Sequence, residues 1–208
     1  MKGLFITIEG PDGTGKSTQA KLLKLYFEKL GRDVILIREP GGCSICEQIR
    51  ETILSNENTE MDNMTEALLY AASRAQLTKE VIIPAIENGK IVICDRYIHS
   101  SIAYQGYARG LGKEMVLDIN KYALFNIWPD FTIFLDMEVR SFRLGKKRDR
   151  IEGLNKKFFE DVLLGFRQLY KDDENRNIVI DANLKKKDIH LRIIKELKER
   201  VPEIGSFE

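Results

Sequence analysis

The chain has 208 residues, enough to build one hydrophobic core without help from metals or disulfides, and residues 1–208 read as a single domain. Hydrophobic residues make up 43% and charged residues 31%, and the net charge is +1. These values exclude a disordered chain and argue against a nucleic acid polymer as partner, and no apolar run approaches the ~20 residues of a membrane span.

Apolar runs alternate with helix-period stretches along the chain. Residues 4–8 predict a strand bounded by Gly10. Residues 18–30 predict a helix ended by Gly31. A second strand covers 34–37, and a short helix 45–54. Residues 64–87 carry a long helical pattern bent before Pro84. Strand three covers 90–94, followed by a helix over 113–125. Strand four covers 131–135, entered from Pro129 and Asp130. A helix over 156–170, strand five over 178–180 and a helix over 186–200 complete the order. The strands are rich in β-branched residues and nearly continuous in apolar character, as buried parallel strands are. The expectation is an α/β fold, a five-stranded parallel sheet with helices on both faces.

Gly10-Pro11-Asp12-Gly13-Thr14-Gly15-Lys16-Ser17 matches G-x-x-x-x-G-K-[ST] between a predicted strand and a predicted helix. Glycines let backbone N–H groups close on phosphate oxygens, and the helix N-terminus adds its positive end. Lys16 is expected on the β- and γ-phosphates and the Ser17 hydroxyl on Mg²⁺, with Gly10 to Thr18 forming the ATP site. No Asn-Lys-x-Asp follows, which argues against a GTPase. Ligands of such sheets bind beyond the carboxyl ends of the strands. Arg38-Glu39-Pro40-Gly41-Gly42 follows strand two there, and Asp95-Arg96-Tyr97 follows strand three. Tyr70 and Arg74 share one helix face, where a ring stacks a base and a guanidinium reads its edge. Arg50 and Arg96 suit a phosphate.

These residues carry a resemblance to the bacterial thymidylate kinases. It runs through Gly10 to Ser17, Arg38 to Gly42 with Glu47 and Arg50, Tyr70 to Arg74, Asp95 to Tyr97 and Ala103-Tyr104-Gln105-Gly106. It resumes at Leu135-Asp136, at Asp149-Arg150-Ile151-Glu152 and at Ile180-Asp181-Ala182. The resemblance implies transfer of the ATP γ-phosphoryl group to dTMP by a P-loop enzyme, with Mg²⁺, in a homodimer with a lid at about 138–152. It implies that Tyr70 stacks on thymine, Arg74 donates to its O4, and Ser101 and Gln105 lie at the base. Tyr104 would lie under the sugar, Glu39 and Pro40 beside the acceptor, and Arg96 and Arg50 on its phosphate. Asp95 would act with Ser17 on the metal, and Asp12 near the acceptor phosphate.

The acceptor phosphate is already ionised at neutral pH, its second pKa being about 6, so the chemistry asks for positioned cations rather than a base. Lys16, Asp12 and Arg96 are the expected catalytic residues. The phosphate loop has no arginine of its own, so Arg143 is expected to supply further charge from the lid, then Arg148 and Arg150. The alternative is a deoxynucleoside kinase, whose neutral hydroxyl acceptor needs a base, with Glu39 in that role. A nucleotide-binding module without activity is the reading from another class.

Cys43 and Cys46 have C-x-x-C spacing but neither the further ligands of a zinc site nor a thioredoxin-like context. The N-terminal stretch is too short for a signal peptide. The expectation is a cytoplasmic protein with Cys43, Cys46 and Cys94 reduced.

Overall fold

The computed structural model describes residues 3–137 and 149–201. The strands are β1 (Leu4–Glu9), β2 (Val34–Arg38), β3 (Ile91–Asp95), β4 (Phe131–Asp136) and β5 (Asn177–Asp181). They form one sheet in the order β2-β3-β1-β4-β5, and every pairing is parallel. β1 is central, with Ile6 opposite Ile93 on one side and Phe131 on the other. Successive strand side chains point to opposite faces, so Phe5, Val92 and Phe134 enter one apolar layer while Ile6, Ile93 and Ile133 enter the other.

The second layer is closed by α1 (Lys16–Lys29) and α8 (Lys186–Arg200), through Leu23 and Phe27 and through Ile189, Ile193 and Leu197. The first layer is closed by the remaining helices. These are α2 (Ser44–Leu54), α3 (Asn63–Leu77), α4 (Ile83–Glu87), α5 (Ile98–Ser101), α6 (Lys113–Asn120) and α7 (Lys156–Leu169). Asp62 caps α3 by accepting the Met64 N–H at 2.8 Å, and Asn155 caps α7 by accepting that of Phe158 at 2.9 Å.

Three segments depart from the periodicity reading. The long helical stretch is interrupted before Pro84 by a widened π turn over Thr78–Ile82 that joins α3 to α4. α5 runs on into a second π turn, Ile102–Ala108, in a segment without a predicted helix. The stretch after α6 leaves the helix at Asn120, and Phe125 and Asn126 take positive φ angles of 48° and 58°. Cys43 and Cys46 are joined as a disulfide with Cα atoms 4.9 Å apart, which corrects the expectation of reduced thiols for that pair. The extended N-cap residue and the first turn of α2 bring these two side chains together. Cys94 is a buried free thiol.

Candidate active site

β1 ends at Glu9, and the chain turns through the glycine-rich loop into α1. Gly10, Gly13 and Gly15 have φ angles of 137°, 83° and 88°, which L side chains rarely adopt. A Cβ at Gly10 would also stand 2.5 Å from the Leu135 carbonyl oxygen on the neighbouring strand. Gly15 caps α1 without a side-chain bond, so the first N–H groups of the helix remain available to an anion. Lys16 is buried and donates to the Pro11 carbonyl at 2.7 Å, and the Thr14 hydroxyl donates to the same oxygen at 2.9 Å. The Ser17 hydroxyl donates to Asp95 Oδ2 at 2.5 Å, which brings two hard oxygens together at the head of α1. An open cavity of about 400 Å³ lies over this loop, lined by Gly13, Gly15, Lys16, Ser17, Thr18 and Asp95 among others.

Arg96 follows β3 in the left-handed region, φ 73°, unusual for a non-glycine residue and a mark of backbone held for a purpose. Its guanidinium donates to Asp12 Oδ1 at 2.5 Å, to Ser100 Oγ at 3.0 Å and to the Gly10 carbonyl at 3.1 Å. It lies over the Tyr104 ring, 5.1 Å from the centroid, and the Tyr104 hydroxyl donates to Asp12 Oδ2 at 2.9 Å. Burial raises the Asp12 pKa, but Arg96 and Lys16 outweigh it and hold the carboxyl well below the usual range. Burial and the nearby Arg96 lower the Lys16 ammonium to about 8.

A second cavity of about 150 Å³ adjoins, lined by Tyr70, Arg74, Ser101, Tyr104, Gln105 and Pro40 with others. Arg74 is fully buried. Its Nε and Nη2 donate to Glu39 Oε2 at 2.9 and 2.6 Å, Nη2 to Ser101 at 3.0 Å, and Nη1 to Asn120 at 2.5 Å. Of its five N–H donors one Nη1 hydrogen therefore remains for a ligand. Burial pushes Glu39 up to about 7 against the pull of Arg74. Arg74 thus holds Glu39 Oε2, while Oε1 has no partner among the described residues. Arg50 donates to the Pro40 carbonyl at 2.8 Å and faces both cavities. The two cavities share Asp12, Glu39, Arg50 and Arg96.

Arg150 lines neither cavity. Its Nε donates to the Ile53 carbonyl at 3.0 Å and its Nη2 to Glu66 at 2.7 Å. Here its Nε and Nη2 are turned to α2 and α3 rather than to the phosphate loop. Arg143 and Arg148 lie outside the described residues, as does most of the expected lid. Sequence reasoning missed Glu9, Glu66 and Asn120. Glu9 is buried, is raised by burial to about 7, and holds the Tyr97 N–H at 2.7 Å and the Ser100 hydroxyl at 2.5 Å. Glu66 could have been found, because Glu66, Tyr70 and Arg74 recur every four residues on one face of α3.

The thymidylate kinase family model matches residues 8–193. The chain is 45% identical over 202 residues to the thymidylate kinase of Caldanaerobacter subterraneus subsp. tengcongensis, covering 96% of this chain and 97% of that one. It is 47% identical over 190 residues to that of Clostridium novyi, covering 88% and 92%. The crystal structure of thymidylate kinase from Ehrlichia chaffeensis superposes with a TM-score of 0.80 at 31% identity, covering 95% of this chain and all of that one.

Proposed function

This chain belongs to the thymidylate kinase family, an ATP-dependent nucleoside monophosphate kinase, and on that premise we propose that its two adjoining cavities seat ATP and dTMP end to end. The observation that supports this most is the shared wall of Asp12, Glu39, Arg50 and Arg96. A triphosphate on the loop and a monophosphate on Arg96 and Arg50 would meet across it.

The γ-phosphoryl group passes to an acceptor phosphate oxygen that is already ionised, giving dTDP and ADP. What the protein contributes is alignment and charge. Lys16 and the loop N–H groups hold the donor phosphates. Arg96, fixed by Asp12 and Tyr104, holds the acceptor phosphate, with Arg50 beside it. Tyr70 stacks on the base, Arg74 donates to O4, and the buried Tyr104 ring closes the sugar side. Ser17 and Asp95, two oxygen donors at the head of α1, fit Mg²⁺, which takes few protein ligands beside substrate phosphates. When bound, that ion neutralises phosphate charge. Arg143 and Arg148 remain the candidates for further cationic charge. The homodimer implied by the resemblance belongs to this reading; sedimentation as a monomer at assay concentration would remove it.

The test is a compound joining 5′-adenosyl and 5′-thymidyl groups through a polyphosphate bridge. The expected result is inhibition competitive with both ATP and dTMP, weakened by Lys16→Met and by Arg96→Met. Competition with ATP alone would contradict the shared wall.

A further inference from the structure

Glu66 has no exposed surface and lies behind Gln105, which lines the base cavity. Its Oε1 accepts from Gln105 Nε2 at 2.9 Å and from Arg109 Nε at 3.2 Å. Its Oε2 accepts from Arg109 Nη2 at 2.8 Å and from Arg150 Nη2 at 2.7 Å. Burial raises its pKa, but the bonds from Arg109, Gln105 and Arg150 outweigh burial and keep the carboxyl low, hence ionised.

An ionised carboxylate only accepts, so it dictates which end of the Gln105 amide faces it. The NH₂ must turn to Glu66 and the oxygen away. Gln105 is itself buried, it lines the base cavity, and its Oε1 has no partner among the described residues. Across the same cavity Arg74 keeps one Nη1 hydrogen uncommitted. Arg74 and Gln105 both line this cavity, so one donor and one acceptor stand in its wall. Thymine and uracil present an acceptor at O4 and a donor at N3. Cytosine presents the reverse at both positions.

We propose that Glu66 is a positioning residue that sets base selectivity, by locking the Gln105 amide so that its oxygen reads the N3–H of the acceptor base. This rests on the reading of the second cavity as the dTMP site. Arg109 and Arg150, brought in from elsewhere in the chain, hold Glu66 ionised; neither touches the base cavity. With a neutral amide at position 66, Gln105 gains a partner that donates as well as accepts, and both orientations become available to it.

The experiment compares kcat/KM for dTMP and for 5-methyl-dCMP, which keeps the methyl group and reverses only the hydrogen-bonding edge. The wild-type protein is expected to prefer dTMP strongly. In Glu66→Gln that preference is expected to fall at least roughly tenfold, while KM for ATP stays within about twofold. In a Gln105→Leu background, Glu66→Gln is expected to change the preference no further, because the reading atom is already gone. If Glu66→Gln alone does not fold, Glu66→Gln with Arg109→Met removes one charge of each sign and is compared in its place. A folded variant that keeps the wild-type preference overturns the proposal, as does an undiminished effect of Glu66→Gln in the Gln105→Leu background. A wild-type protein with no preference between the two substrates would instead sink the reading of the cavity as the base site.

Discussion

Asp12 Oδ1 stands between two cations, 3.8 Å from Lys16 Nζ and 2.5 Å from Arg96 Nη2. Burial and Arg96 lower the Lys16 pKa to about 8 in the free protein, and Asp12, Asp95 and Glu9 recover only part of the loss. The ammonium is the form that holds phosphate, and it is lost as pH rises through that value. We therefore expect kcat/KM for ATP, which reports the free enzyme, to decline above about pH 8. Bound phosphates favour the ammonium, so kcat should decline only at higher pH. Lys16→Arg, charged throughout, should lose the high-pH limb even if slower. A kcat/KM for ATP that stays flat to about pH 9.5 would contradict this assignment. The stability effect has the opposite sense. Between about 8 and the ordinary 10.5 the unfolded chain holds a proton that the folded one lacks, so this group's contribution to stability rises with pH.

Among the elements, the long helix α3 and the π turn after α5 bring Tyr70, Arg74, Tyr104 and Gln105 to the base cavity, and they differed in how far the sequence disclosed them. The spacing of Tyr70 and Arg74 placed both on one face because α3 is regular there. The segment Ile98–Ala108 was not legible as a helix. It starts without a side-chain cap and widens into a π turn, so its apolar residues do not keep the 3.6 period. That same turn delivers Tyr104 and Gln105. The buried Glu66 network could not be read either, since Arg109 and Arg150 reach it from distant parts of the chain. Arg150, expected on the phosphates, has its side chain packed inward against α2 and α3. The charge expected from the lid then falls to Arg143 and Arg148. Alanine at Arg143 should lower kcat at least roughly tenfold with little change in KM for dTMP, and alanine at Arg150 should lower stability more than kcat. Near wild-type kcat in both Arg143→Ala and Arg148→Ala would show that the transferring group draws its charge from elsewhere.

In the molecule as a whole, the central strand β1 and its neighbour β3 bring the phosphate loop and Asp95-Arg96 side by side at the carboxyl end of the sheet. The register pairs Ile8 with Asp95, so the two loops leave the sheet at the same level. This juxtaposition was legible because buried parallel strands and a phosphate loop have strong local signatures. The depth of the Arg74 and Glu39 pair was not, since nothing local reveals that a charged side chain will be buried. The central claim is that the second cavity is built for an acceptor that carries its own phosphate. The most direct test is kcat/KM with ATP for dTMP, dUMP and thymidine. We expect dTMP highest, dUMP lower by roughly 10–200-fold for the missing methyl, and thymidine far below both, because Arg96 and Arg50 would face a neutral hydroxyl. A higher kcat/KM for thymidine than for dTMP would contradict it.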